Sequence, residues 1–130
     1  MLAEPGRHRP LAAGIAHRDG LLIYDPRITL EDLLQCVAAG ESAASLAARF
    51  HQTVLSVTRG IVQEVGLQTG LNTVVLSGGV FQNQWLATNL IRRLERDGFE
   101  VHTNHKVPAN DGWISYGQAA VAAARLAGAS

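Results

Sequence analysis

The apolar positions along this chain fall into separate periodic runs, each bounded by glycine, proline or a polar cap. LAAGIAH (residues 11–17) and LLIY (21–24) are short apolar runs around Arg18-Asp19-Gly20. An Asp-Gly pair between such runs favours a tight turn, which predicts a small hairpin closed by Asp25-Pro26. Thr29 offers a helix N-cap, and Asp32 three residues on resembles a capping box. Leu30, Leu33, Leu34 and Val37 then recur at helical spacing and predict one apolar face, ended by Gly40. A longer helix is predicted from about Ser42 to Glu64. Its core stripe is Leu46, Phe50, Val54, Val57, Ile61 and Val65.

Beyond Leu71 the pattern changes. Thr73-Val74-Val75-Leu76 is a β-branched run that predicts a buried parallel strand, and Ser77-Gly78-Gly79 stops it. A helix with Leu86, Leu90, Ile91 and Leu94 on one face follows, ending at Asp97-Gly98. Phe99 to Thr103 alternates apolar and polar and predicts a second strand. After a loop from Asn104 to Gly112 comes an alanine-rich helix through Ile114, Val121 and Leu126. This βαβα order behind a long helix pair predicts an α/β fold with parallel strands. Pro5, Gly6 and Pro10 mark the first ten residues as a loose arm. The expected organisation is an arm and hairpin over 1–25 and a single lobe over 26–130.

At 130 residues the chain has the size of one ordinary domain. A hydrophobic fraction of 47% with 17% charged residues excludes disorder. Eleven basic and eleven acidic side chains cancel to a net charge of zero, which argues against a nucleic-acid or anionic-membrane surface. A mean hydropathy of +0.08, without a long uncharged apolar run, predicts no transmembrane helix. The N-terminus lacks the continuous apolar stretch of a signal peptide. The one cysteine, Cys36, cannot form an internal disulfide and fits a reducing compartment. These features together lead to the expectation of a cytoplasmic protein. Cys36 lies beside the first helix's apolar face and is expected to act as a small hydrophobe.

Three places carry candidate chemistry. At Ser77-Gly78-Gly79 a strand runs into two glycines and then a helix. Glycines let backbone approach a ligand closely, and a helix N-terminus suits a phosphate. Asn83, expected within the first turn, offers an amide to a ribose or base edge. Many α/β proteins use glycines there merely to turn, so both readings stand. The second place is Asn110-Asp111-Gly112, just beyond the second strand. Asp111 there is either a helix N-cap or a metal or substrate ligand. The third is His102 with His105, which lack a nearby partner to complete a metal set. His51, beside the long helix's stripe, reads as a hydrogen-bonded histidine at the core boundary. No phosphate-binding Walker loop, G-x-S-x-G or H-E-x-x-H occurs.

Four segments now combine: AARFHQTV (47–54), VVLSGGVFQNQWL (74–86), RRLERDGFEVHT (92–103) and VPANDGWISYGQAAVAAARL (107–126). In this order they resemble the C-terminal end of the hydrogenase-maturation carbamoyltransferase family (HypF), over about residues 21–126. The resemblance implies a single lobe of the actin and sugar-kinase type, a ribonuclease H-like fold, forming half of a two-lobed transfer domain. It implies that Ser77, Gly78 and Gly79 contact a nucleotide, with Asn83 beside it. Asp111 would join two histidines of the other lobe around a divalent metal, with Asn110 and His51 as outer supports. The implied ligands are ATP, AMP or carbamoyl-adenylate, held weakly by this lobe alone. The family passes the carbamoyl group to a C-terminal cysteine of a partner protein, on the way to the cyanide ligands of nickel–iron hydrogenase. This chain lacks the H-x-x-x-H pair, carries Trp113 where a second glycine is usual, and has Gln84-Trp85 at its helix start. It is therefore expected to need the missing N-terminal lobe or another chain. An exposed lobe surface also predicts self-association into a homo-oligomer.

Overall fold

In a computed structural model of the protein, residues 8–104, 112 and 114–128 are described. The chain divides into two compact units, Met1–Asn72 and Thr73–Ser130.

The first unit opens with strands β1 (Gly14–Arg18) and β2 (Leu21–Asp25), paired antiparallel with Arg18 opposite Leu21. Asp19 (φ 51°) and Gly20 (φ 78°) both lie in the left-handed region, as a two-residue hairpin turn matching the strand twist requires. Helix α1 (Pro26–Ala38) begins earlier than predicted. Asp25 is its N-cap, accepting the Arg27 N–H at 3.0 Å, and Pro26 supplies a preset first helical residue. Thr29 is therefore not a cap. It lies inside α1, 1% exposed, where its hydroxyl accepts from the Tyr24 hydroxyl at 2.7 Å and donates to the Ala12 carbonyl at 2.8 Å.

The predicted apolar face of α1 does not form core. Leu30, Leu34 and Val37 are 51%, 64% and 52% exposed, and Leu33 is half-buried. The inner face is the one that bonds: Thr29, Asp32 and Cys36 all make polar contacts inward. Helix α2 (Ala43–Thr69) is capped by Ser42 and runs past the predicted end to Gly70. Its buried residues are Leu46, Ala48, Gln52, Thr53 and Leu55, so the buried face is rotated from the predicted stripe, and Phe50 and Val65 are exposed. The segment preceding β1 explains the rotation. Leu11 is buried, its N–H donates to the Thr53 hydroxyl, and Arg49 Nε donates to the Arg9 carbonyl at 3.1 Å. Arg9 and Leu11 are thus tied to α2 and Ala12 to α1, so this part of the segment is not loose.

In the second unit, β3 (Thr73–Leu76) pairs parallel with β4 (Glu100–Thr103), Thr73 opposite Glu100 and Leu76 opposite Thr103. Helix α3 (Gln84–Arg96) connects them and packs on β4, burying Leu86, Leu90 and Leu94 at the predicted spacing. Strand β3 is parallel but not buried on both sides. Leu76 is buried, whereas Val75 and its register partner His102 are exposed, because α3 covers only one face of this two-stranded sheet. Helix α4 (Ile114–Gly128) is exposed at every residue. The described residues form an α/β protein with two small sheets and four α-helices. None of these helices is long and apolar enough to cross a membrane.

Candidate nucleotide turn

The backbone leaves β3 at Ser77 and bends at Gly78, whose φ of 107° and ψ of 158° lie in a region reached essentially by glycine alone. The turn that follows is a single short 3-10 helix, Gly79–Gln82. It is closed by Phe81 N–H donating to the Gly78 carbonyl at 3.1 Å and Asn83 N–H donating to the Val80 carbonyl at 3.2 Å. The predicted direct passage from glycines to helix is therefore interrupted by a separate turn. Apart from the glycines themselves and their chain neighbours, no atom of the described residues lies within 4 Å of where a Cβ would sit on Gly78 or Gly79. Ser77, Gly79, Val80 and Asn83 are exposed. The C-terminal edge of a parallel strand, an open glycine turn and a helix start together suit an anionic ligand that approaches the main chain closely.

Asn83 precedes α3 as its N-cap and is not inside the first turn. Its Oδ1 accepts the Leu86 N–H at 3.1 Å. Sequence reasoning missed the 3-10 turn and this cap. The available signal was an asparagine just before the first periodic apolar residue, Leu86.

His51 lies on α2 in the first unit, its Nδ1 2.8 Å from the Ala47 carbonyl one helical turn back. His102 is exposed on β4, with Nε2 3.1 Å from Glu100 Oε1. His105, Asn110, Asp111 and Trp113 lie outside the described residues. Among the described residues no three His, Cys, Asp or Glu side chains are grouped to hold a metal.

The first unit holds a second polar cluster that the sequence did not reveal. Arg49 Nη1 donates to Cys36 Sγ at 3.0 Å and to Glu41 Oε2 at 2.7 Å, and Nη2 lies 3.5 Å from Asp32 Oδ2. The Ser45 hydroxyl donates to Glu41 Oε1 at 2.6 Å. This bond, with help from Arg49, holds the Glu41 carboxyl below its usual range despite partial burial. Partial burial works against the Arg49 charge, but its bonds to Cys36 and Glu41 outweigh that and raise its pKa. Cys36 is thus part of a charged network and not a simple hydrophobe.

Residues 2–118 match the model for the second subdomain of the carbamoyltransferase Kae1-like domain. The chain is 41% identical over 98 residues to carbamoyltransferase HypF2 of Cupriavidus necator, covering 75% of this chain and 12% of that protein. Carbamoyltransferase HypF of Rhodobacter capsulatus is 36% identical over 94 residues, covering 72% and 12%. A crystal structure of full-length HypF in a phosphate- and nucleotide-bound form superposes with a TM-score of 0.82 at 39% identity, covering 88% of this chain and 15% of that one. The chain belongs to the HypF carbamoyltransferase family and corresponds to the second subdomain of its Kae1-like domain. It spans about an eighth of the length of these two relatives.

Proposed function

We propose that this chain is the nucleotide-facing lobe of a carbamoyltransferase, acting with a partner that supplies the rest of the transfer domain. The lobe is of the actin and sugar-kinase type. Ser77, Gly78 and Gly79 receive ATP, AMP or carbamoyl-adenylate, with Asn83 alongside. The carbamoyl group passes to a C-terminal cysteine of a protein acceptor in hydrogenase maturation, in the cytoplasm. Asp111 contributes to a divalent metal site only when histidines from another lobe complete it, with Asn110 and His51 in support. The described residues supply no ligand set for that metal.

The observation that carries the reading is the glycine-only bend at Gly78 beside an open Gly79, at the C-terminal edge of a parallel strand. The nucleotide-bound form of the HypF structure supports it by similarity. A half-cleft buries little of a ligand, so nucleotide affinity of the chain alone is low. The direct test combines this chain with Cupriavidus HypF2 truncated before its matching segment. Restored carbamoyl transfer from carbamoyl-adenylate is expected, and no transfer despite formation of the complex rejects the proposal.

A second reading, a non-catalytic, self-associating nucleotide- or protein-binding module derived from the HypF family, is supported by the exposed Leu30, Leu34 and Val37 stripe on α1. Self-association is expected on both readings, and sedimentation that shows only monomer at high concentration counts against it.

A further inference from the structure

We infer that Asn83 serves the glycine turn as a positioning residue, not as a nucleotide contact. The inference rests on the nucleotide reading above. Asn83 sits where the 3-10 turn meets α3, and three of its groups are used there. Its N–H closes the turn on the Val80 carbonyl at 3.2 Å. Its carbonyl accepts the Ala87 N–H at 3.0 Å and so begins the α-helical ladder. Its Oδ1 satisfies Leu86 N–H, one of the helix's otherwise orphaned donors.

The backbone of Asn83 is extended, with φ −70° and ψ 96°. That conformation separates two helical segments, Gly79–Gln82 and Gln84–Arg96, that would otherwise be contiguous. The side-chain cap is available only while Asn83 stays extended, because a helical ψ carries the side chain away from the Leu86 N–H. The cap therefore stabilises the break itself. Without it, the turn is free to merge into α3, which re-aims the Gly79 and Val80 amides. Asn83 acts on the ligand through these amides.

Two substitutions separate positioning from contact. Serine keeps an N-cap acceptor but removes the amide, and alanine removes both. The measurements are backbone amide exchange by NMR on the full chain and amide shifts of Gly78, Gly79 and Val80 on adding millimolar ATP. Asn83→Ala is expected to speed exchange of the Leu86 and Phe81 amides by about tenfold and to abolish the ATP shifts. Asn83→Ser is expected to restore both. If Asn83→Ser restores slow exchange but not the ATP shifts, the amide touches the nucleotide and the inference fails. It also fails if Asn83→Ala leaves Phe81 exchange unchanged. A wild-type chain that shows no ATP shifts either alone or in complex with the truncated HypF2 rejects the nucleotide reading alone, and Phe81 exchange in the two variants then decides the role of Asn83.

Discussion

The backbone N–H of Leu11 donates to the Thr53 hydroxyl at 2.8 Å, joining residues 42 apart in the sequence. The same hydroxyl donates to the Arg49 carbonyl at 2.9 Å. One buried side chain thus ties the segment before the hairpin to the middle of α2. Thr53→Val keeps the shape and leaves the Leu11 donor buried without an acceptor. A loss of about 1–3 kcal/mol in urea unfolding is expected, with faster exchange of the Leu11 amide. Unchanged stability would show that the bond is dispensable.

The α1 cap predicts an acid-side dependence. Hydrogen bonds from the Arg27 side chain and N–H hold Asp25 down from 3.8 to about 2. A depressed carboxyl contributes stability that is present above its unfolded value and disappears as pH falls through its folded value. Asp25 therefore stabilises α1 above about pH 4, and the contribution drains away towards pH 2. Asn also caps a helix but does not titrate. Asp25→Asn should flatten the melting temperature against pH between 4 and 2, and an unaltered slope would exclude the cap as its source.

The two glycines of the turn should respond differently. Gly78→Ala forces a side chain into a glycine-only conformation, at a cost of about 1–3 kcal/mol. Gly79→Ala meets no described atom within 4 Å and does not have a left-handed φ, so stability should stay within about 0.5 kcal/mol. The Cβ nonetheless fills the approach to the main chain, and ATP binding in the completed enzyme should fall. Equal stability losses at both positions would contradict the geometry.

Arg49 is the hub of the first unit's charged cluster. Arg49→Met retains most of the volume but removes the donors to Glu41 Oε2 and the Cys36 sulfur. Chemical unfolding should report a loss of about 1–2 kcal/mol. Added salt should change little of it, because Arg49 is only 18% exposed. A strongly salt-dependent loss would mark an ordinary surface pair.

The metal expectation is separately testable. A single aspartate does not hold a transition metal, which needs three or four ligands. Elemental analysis of the purified chain should find no stoichiometric metal. Retained metal would identify ligands beyond those assigned to the completed site, with His102 and His105 the first to substitute.

Local order was legible in the sequence wherever a short-range preference decides it. Asp19-Gly20 specifies its hairpin turn because both positions need a left-handed backbone. Leu86, Leu90 and Leu94 specify the inner face of α3 by period alone. The four quoted segments carry the family, because a combined pattern of glycines, asparagine and apolar positions spans most of the chain. Tertiary structure decided what periodicity cannot express. Leu30, Leu34 and Val37 form a good apolar face, yet α1 turns its bonding face inward because Ala12, Tyr24 and Arg49 offer partners from outside the helix. Leu11 rotates α2 about its axis for the same reason. At the glycine turn the residues were visible, but their roles were not. A φ of 107° at Gly78 and a cap at Asn83 arise only when the strand end and the helix start are held in register by the packed unit. Sequence limits which backbone states each residue tolerates, and long-range packing and hydrogen bonding select among them.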